Sequence, residues 1–217
     1  MSTFKTVFEY GESEIIIEKS KFIGYCKPVS NEEEANEFIN SIKKLHRNAT
    51  HNVPVYLLGE KFNIQKYSDD GEPSGTAGLP VLEMLKKEGI TNIAMVITRY
   101  FGGIKLGTGG LVRAYTSSAK ETLQVSKIVE KKLFDKCSIS LDYTLHGKVN
   151  NFLLNSHYID GGTNFTDKVE MIVYCEKGEF EELKSKIIDL TNSNGDIYII
   201  KEEYITLMDG QIVEYGG

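Results

Sequence analysis

Residues 134–207 read FDKCSISLDYTLHGKVNNFLLNSHYIDGGTNFTDKVEMIVYCEKGEFEELKSKIIDLTNSNGDIYIIKEEYITL, and the periodicity of this stretch decides the fold. FDKCSISLD (134–142) alternates as a strand does. LHGKVNNFLLN (145–155) sets Leu145, Val149, Phe152 and Leu153 on one helical face. Two β-rich runs, 158–165 and 168–176, flank Thr166-Asp167, a two-residue hairpin connection without the favoured glycine. A second helical stripe of Phe180, Leu183, Ile187 and Leu190 fills 179–191 and is expected to stop at Asn194-Gly195. A strand at 196–207 closes the series. The order β-α-β-β-α-β is that of the ferredoxin-like split βαβ.

Upstream the pattern is less regular. Thr3 to Glu9 and Glu14 to Lys27 read as strands paired through a turn at Gly11. Ser30 and Glu33 have capping-box spacing before a helix bearing Ala35, Phe38, Ile39, Ile42 and Leu45. Strands are expected from Val53 to Gly59, Phe62 to Tyr67 and Ile93 to Thr98. Pro80 sits in the first turn of a helix that ends near Gly89, and a further helix runs from about Leu111 to Leu123. At roughly 150 residues per domain, 217 residues allow one domain or two. The element pattern favours two in an α+β chain, 1–133 and 134–217, abutting at the charged EKKLF of 130–134.

With 41% hydrophobic and 26% charged residues the composition is that of an ordinary globular protein. The longest apolar run, around Ile93 to Ile97, is strand-sized, so no membrane span or membrane partner is expected. The opening MSTFKTVFEYGESE turns acidic without an apolar signal core, and a cytoplasmic location is expected. A net charge of −6 speaks against nucleic acid until it is divided. Residues 1–133 hold 18 Lys/Arg and 16 Asp/Glu, a net of +2, whereas 134–217 hold 7 and 15, a net of −8. All three arginines, Arg47, Arg99 and Arg113, lie in the first part. Cys26, Cys137 and Cys175 form no C-x-x-C pair, which excludes a disulfide framework and a thiolate zinc site and suits buried reduced thiols.

Two segments concentrate polar chemistry. In DDGEPSGTAGLP (69–80), Ser74, Gly75, Thr76 and Gly78 precede a helix and offer N–H groups and hydroxyls to an anion. Its carboxylates, Asp69, Asp70 and Glu72, suit a hard cation equally, though not with EF-hand spacing. A turn-rich loop with an ordinary helix cap accounts for the same residues. In RYFGGIKLGTGGLVR (99–113), five glycines fall between Gly102 and Gly110. The P-loop pattern fails because Thr108 stands where the lysine belongs, and the dinucleotide pattern fails at Val112. What remains is an open backbone flanked by Arg99, Lys105, Arg113, Tyr100 and Phe101, which suits single-stranded RNA through phosphate contacts and base stacking. Tight helix–strand packing demands the same glycines. His46 and His51 lack the spacing of a zinc helix, and neither Ser20 nor Ser74 has a visible base partner. No metal and no cofactor are expected.

The stretches KSKFIG (19–24), ATHN (49–52), SDDGEPSGTAG (68–78) and VITRYFGGIKLGTGGLVRAY (96–115) resemble the YigZ/IMPACT family. The likeness is to the bacterial YigZ-type members, without the RWD extension of eukaryotic relatives. It implies a first domain of the left-handed β-α-β type, similar to domain IV of elongation factor G and to a small-subunit ribosomal protein. It also implies a ferredoxin-like second domain similar to domain V of that factor, in agreement with the order read directly. Eukaryotic relatives act in translational control by competing for the activator of an initiation-factor kinase; that partner belongs with their extra domain and is not expected here. Mapped onto the matching positions, the binding surface comprises Lys21, His51, Asp70, Glu72, Ser74, Gly75, Arg99, Gly102, Gly103, Lys105, Gly109 and Arg113. The acidic 69–72 run is expected to pair with Arg99 or Arg113, or to hold a cation bridging to phosphate.

The leading expectation is a non-catalytic regulator that binds RNA or the ribosome through its first domain, with the acidic second domain facing away or meeting a protein. The alternatives are an enzyme or sensor taking a small phosphorylated or nucleotide ligand between the two glycine-rich loops, and a protein-interaction module.

Overall fold

Strand alternation builds the first unit of the computed structural model, which describes residues 3–215. Within Phe4–Glu130 lie most of β1 (Thr3–Val7), then β2 (Gly11–Ile17), β3 (Ser20–Pro28), α1 (Glu32–Leu45), β4 (His51–Leu58), β5 (Ile64–Tyr67), α2 (Gly78–Glu88), β6 (Ile93–Tyr100) and α3 (Gly107–Val125). Five strands form one sheet in the order β2-β3-β6-β4-β5. Strands β3 and β4 each pair antiparallel with β6, so they run parallel to each other and α1 makes the β-α-β crossover between them. Even-numbered Phe22 and Cys26 on β3 face α2 and α3 together with Val53, Val55 and Leu57 of β4 and Ile93, Met95 and Ile97 of β6. Their neighbours Ile23, Tyr25, Tyr56, Leu58, Ala94 and Val96 face Phe38, Ile39 and Ile42 of α1. A sheet covered on both sides explains why β6 is apolar without a break from Ile93 to Ile97: each fully buried side chain of this size contributes about 1.5–3 kcal/mol.

Several local expectations change. The run 14–27 is two strands, because Glu18 (φ 46°) and Lys19 (φ 63°) both adopt the left-handed region and reverse the chain, pairing Ile17 with Ser20. Such turns are ordinarily signalled by Asn-Gly, and Glu-Lys carries no such mark. Gly11 therefore opens β2 instead of joining it to β1, which lies outside the five-stranded sheet. The capping box moves one residue along: Asn31 accepts from the Glu34 N–H at 2.9 Å, and the Glu34 carboxylate accepts from the Ser30 N–H at 2.8 Å. Asn caps as well as Ser does, and Glu34 is spaced from it as Glu33 is from Ser30. Leu45 lies exposed at the end of α1. Helix α3 starts at Gly107, so Gly107, Gly109 and Gly110 form its first turn.

The second unit, from Lys131 onward, contains most of β7 (Ile128–Leu141), then α4 (Tyr143–Leu154), β8 (Ile159–Phe165), β9 (Val169–Glu176), α5 (Phe180–Thr191), β10 (Gly195–Met208) and β11 (Gln211–Tyr215). Its path β11-β10-β7-β9-β8 places the two central strands of the split βαβ side by side, with β8 and β10 outside them, as the ferredoxin-like order requires. Val149, Leu153, Leu183 and Ile187 of the two helices bury against Cys137, Ile139, Leu141, Val169, Met171 and Val173. Phe165 pairs with Val169, so the β8–β9 turn spans Thr166 to Lys168, one residue more than expected. Helix α5 ends earlier than Asn194-Gly195, at Asn192 (φ 50°), whose side chain tolerates the left-handed region. Strand β11 adds an element beyond the six. The three cysteines are buried, with the Sγ atoms of Cys137 and Cys175 3.8 Å apart and burial pushing the Cys26 thiol up to about 12. No helix among the described residues is long and apolar enough to cross a membrane.

Candidate ligand-binding cleft

Register across three strands sets the first side chains of the site. Phe22 on β3 lies opposite Arg99 on β6, which lies opposite His51 on β4, so the three share one face at one end of the sheet. Glu72 reaches this row from the loop before α2, and Tyr115 reaches it from α3. The Glu72 carboxylate takes both: its Oε1 accepts from Arg99 Nη1 at 2.6 Å and from the Tyr115 hydroxyl at 2.8 Å. Arg99 Nη2 donates to Ser20 Oγ at 3.3 Å, and the guanidinium carbon stands 5.4 Å from the Phe22 ring centre and 5.6 Å from that of Phe101. Arg99 is 5% and Glu72 8% exposed. Burial, then the neighbouring Glu72, holds the Tyr115 hydroxyl protonated far above the ordinary tyrosine range. Desolvation offsets most of the attraction in a buried ion pair, so stability alone does not account for placing charges here.

The loop 69–78 is organised by its own acids. Asp69 accepts from the backbone N–H groups of Gly75 (2.8 Å), Ala77 (3.2 Å) and Gly78 (2.8 Å). The anion cradle expected around Gly75 and Gly78 is therefore already filled by this carboxylate. Replacing Asp69 with Ala strands those donors, and a loss of about 1–2 kcal/mol is expected for so well-bonded a helix-start carboxylate. Thermal melting checks it, and a change below about 0.3 kcal/mol would contradict the assignment. Asp70 accepts from the Asn52 N–H at 2.6 Å and pairs with Lys43 at 3.2 Å. The Asp70 carbonyl lies 2.7 Å from His51 Nδ1 and can only accept, which puts a proton on Nδ1 and leaves Nε2 3.8 Å from Glu72 Oε2. The open choice for the acidic run thus resolves residue by residue, with Glu72 on Arg99 and Asp70 on Lys43. Among the described residues no three His, Cys, Asp or Glu side chains gather as a metal site.

The second glycine-rich segment wraps the same end of the sheet. A Cβ on Gly102 would lie 2.0 Å from the backbone carbon and oxygen of Lys19, so this residue must be glycine for the loop to pass the β2–β3 turn. The Gly102 N–H donates to Ser20 Oγ at 3.2 Å, tying the loop to the hydroxyl that also receives Arg99. Gly103 follows with φ 88°, and α3 then begins without a side-chain cap or an acidic residue in its first turn. Between these segments lies a cleft of about 430 Å³ lined by His51, Glu72, Arg99, Phe101, Lys105 and Thr108, among others. A second hollow of about 470 Å³, lined by Glu18, Lys105, Arg113 and Ser117, shares Lys105 with it.

His51, Glu72, Arg99 and Lys105 thus converge on one cleft, with Asp70 orienting the histidine and Gly102 and Gly103 carrying the chain past it. Arg113 lines the second hollow, and a Cβ on Gly109 would stand 3.7 Å from its guanidinium. Gly75 belongs to the turn bonded to Asp69, and Ser74 lies exposed beside it. Lys21 is set apart: it pairs across the strands with Tyr100, on the opposite face from Arg99, and its ammonium meets Glu14 at 3.1 Å. Ser20, Phe22, Asp69 and Tyr115 complete the site although they were not among the expected binding residues. All four fall inside the quoted motif stretches.

Residues 18–123 match the family model described as the Impact N-terminal domain, and residues 139–194 match a domain of unknown function, DUF1949. The chain is 47% identical over 209 residues to the Bacillus subtilis protein described as IMPACT family member YvyE, covering 96% of this chain and 95% of that one. It is 34% identical over 195 residues to IMPACT family member YigZ of Escherichia coli, covering 86% and 92% respectively. A solved structure titled as a hypothetical protein superposes with a TM-score of 0.59 at 27% identity, over 93% of this chain and 98% of that one.

Proposed function

This chain belongs to the IMPACT family, and on that premise we propose that it is a non-catalytic, translation-related regulator that binds RNA or the ribosome through its first domain. One observation carries the reading: Lys105, Arg113 and the ring of Phe101 are all exposed on or just after the glycine-rich loop that borders the cleft. Two exposed cations and an open aromatic face are what an extended phosphate chain with stackable bases requires. Arg99 has a different part in it. Through Nη1 it is committed to Glu72, and so it holds the loop. The second domain, with its net charge of −8, repels phosphate and suits a basic protein partner. Action at the ribosome would place the protein in the cytoplasm.

Binding of single-stranded RNA and of ribosomes across a salt series tests the reading. Affinity should fall as salt rises. In Lys105→Ala/Arg113→Ala the slope of log affinity against log salt should shrink by about 1.4, at about 0.7 per lost phosphate contact on a single strand. Affinity that ignores both salt and the double substitution would exclude phosphate recognition at this loop.

A further inference from the structure

Arg99, which lines the cleft, carries one buried polar atom that the molecule itself does not satisfy. The residue is 5% exposed; Nη1 and Nη2 have acceptors, but its buried Nε has no hydrogen-bond partner among the described residues. A buried donor left unpaired costs about 1–3 kcal/mol, more when it is charged, so an acceptor from outside gains by arriving there. The start of α3 lines the same cleft through Gly107 and Thr108. Its 19 residues align their dipole on that end, and with neither a side-chain cap nor an acid in the first turn the N–H groups are free to take an anion. Lys105 supplies an exposed ammonium. Glu72 is the opposing charge on the wall, but its Oε1 is already occupied by Arg99 and Tyr115.

Resting on the function proposed above, we infer that this cleft is a subsite for a terminal phosphate group, received by Arg99 Nε, Lys105 and the first N–H groups of α3. The shape argues for an end over an internal diester. Arg99 and Glu72 are at most 8% exposed, so a group that reaches them enters end-on, whereas an internal phosphate would drag both flanking sugars into the same depth. The end of a 5′-phosphorylated RNA and the phosphate of a free mononucleotide share this chemistry.

Three probes test it on the full chain: inorganic phosphate, a mononucleotide, and a short single-stranded RNA with and without a 5′-phosphate. Phosphate should raise the melting temperature beyond chloride of equal ionic strength, as any ligand of the native state does. Thr108→Asp places a carboxylate where the phosphate would sit and favours the helix dipole, so it should melt no lower than wild type and yet lose the response. The 5′-phosphorylated RNA should bind at least about tenfold more tightly than its 5′-hydroxyl twin, a difference of about 1.4 kcal/mol. If the mononucleotide binds and RNA shows no such preference, the subsite takes a small free phosphate; the inference stands and the RNA reading falls. Salt-dependent RNA binding that is blind to the 5′-phosphate, with no phosphate-specific shift, does the reverse. A shift that survives Thr108→Asp unchanged means an anion bound elsewhere and overturns the assignment.

Discussion

Glu72→Ala is expected to cost about 3–5 kcal/mol of stability, because it leaves the Arg99 guanidinium buried without its counter-charge. The same change strips the acceptor from the Tyr115 hydroxyl, so two buried donors lose their partner at once. Neither can turn to water, since Arg99 is 5% exposed and Tyr115 is fully buried. Denaturant unfolding followed by circular dichroism reads the loss directly. A companion variant separates the pair from its parts: Glu72→Leu with Arg99→Met removes both charges together and should recover most of the loss, since apolar replacements of buried pairs are often neutral. A loss below about 1 kcal/mol in Glu72→Ala would mean that the pair is solvated and that the site is not built as described.

Gly102→Ala is the second large effect. Overpacking in a buried region costs about 1–3 kcal/mol when side chains can yield, and the cost rises when the obstacle is backbone. Here the added Cβ meets the carbonyl group of Lys19 at 2.0 Å and the nitrogen of Ser20 at 2.5 Å, none of which can rotate away. Either the glycine-rich loop lifts or the β2–β3 turn moves, and both break the contacts of Ser20 Oγ with Gly102 and Arg99. We therefore expect a loss at the upper end of that range together with weakened RNA binding. Unfolding within about 0.5 kcal/mol of wild type would show that loop and turn are not clasped.

How much of this was legible follows from which interactions are local. The ferredoxin-like half could be read because its signals repeat within one turn or one strand: Leu145 with Val149, Leu183 with Ile187, and the alternation of 134–142. The reversal at Glu18-Lys19 could not, because both residues adopt the left-handed region without the Asn or Gly that ordinarily marks such a turn. Arg99 and Arg113 look interchangeable in sequence, as two cations flanking one glycine run. Cross-strand register decides between them, seating Arg99 between Phe22 and His51 and leaving Arg113 on an exposed helix face. Lys21 illustrates a signal that was present: one residue from Phe22, it had to fall on the other face by alternation. Likewise the carboxylate of Asp69 claims the N–H groups around Gly75 through a contact six residues long, within reach of a helix-start reading.

The cluster joins Ser20, Glu72, Arg99 and Tyr115, and its contacts therefore close loops of 27 to 79 residues. Non-local contacts of this kind form late, since the entropy of loop closure must be met before they add anything. No fragment ending before Tyr115 carries the whole cluster. During synthesis the chain must emerge well into α3 before Glu72 gains its last partner. A ligand that needs the buried Glu72–Arg99–Tyr115 cluster therefore selects for chains already whole in that part.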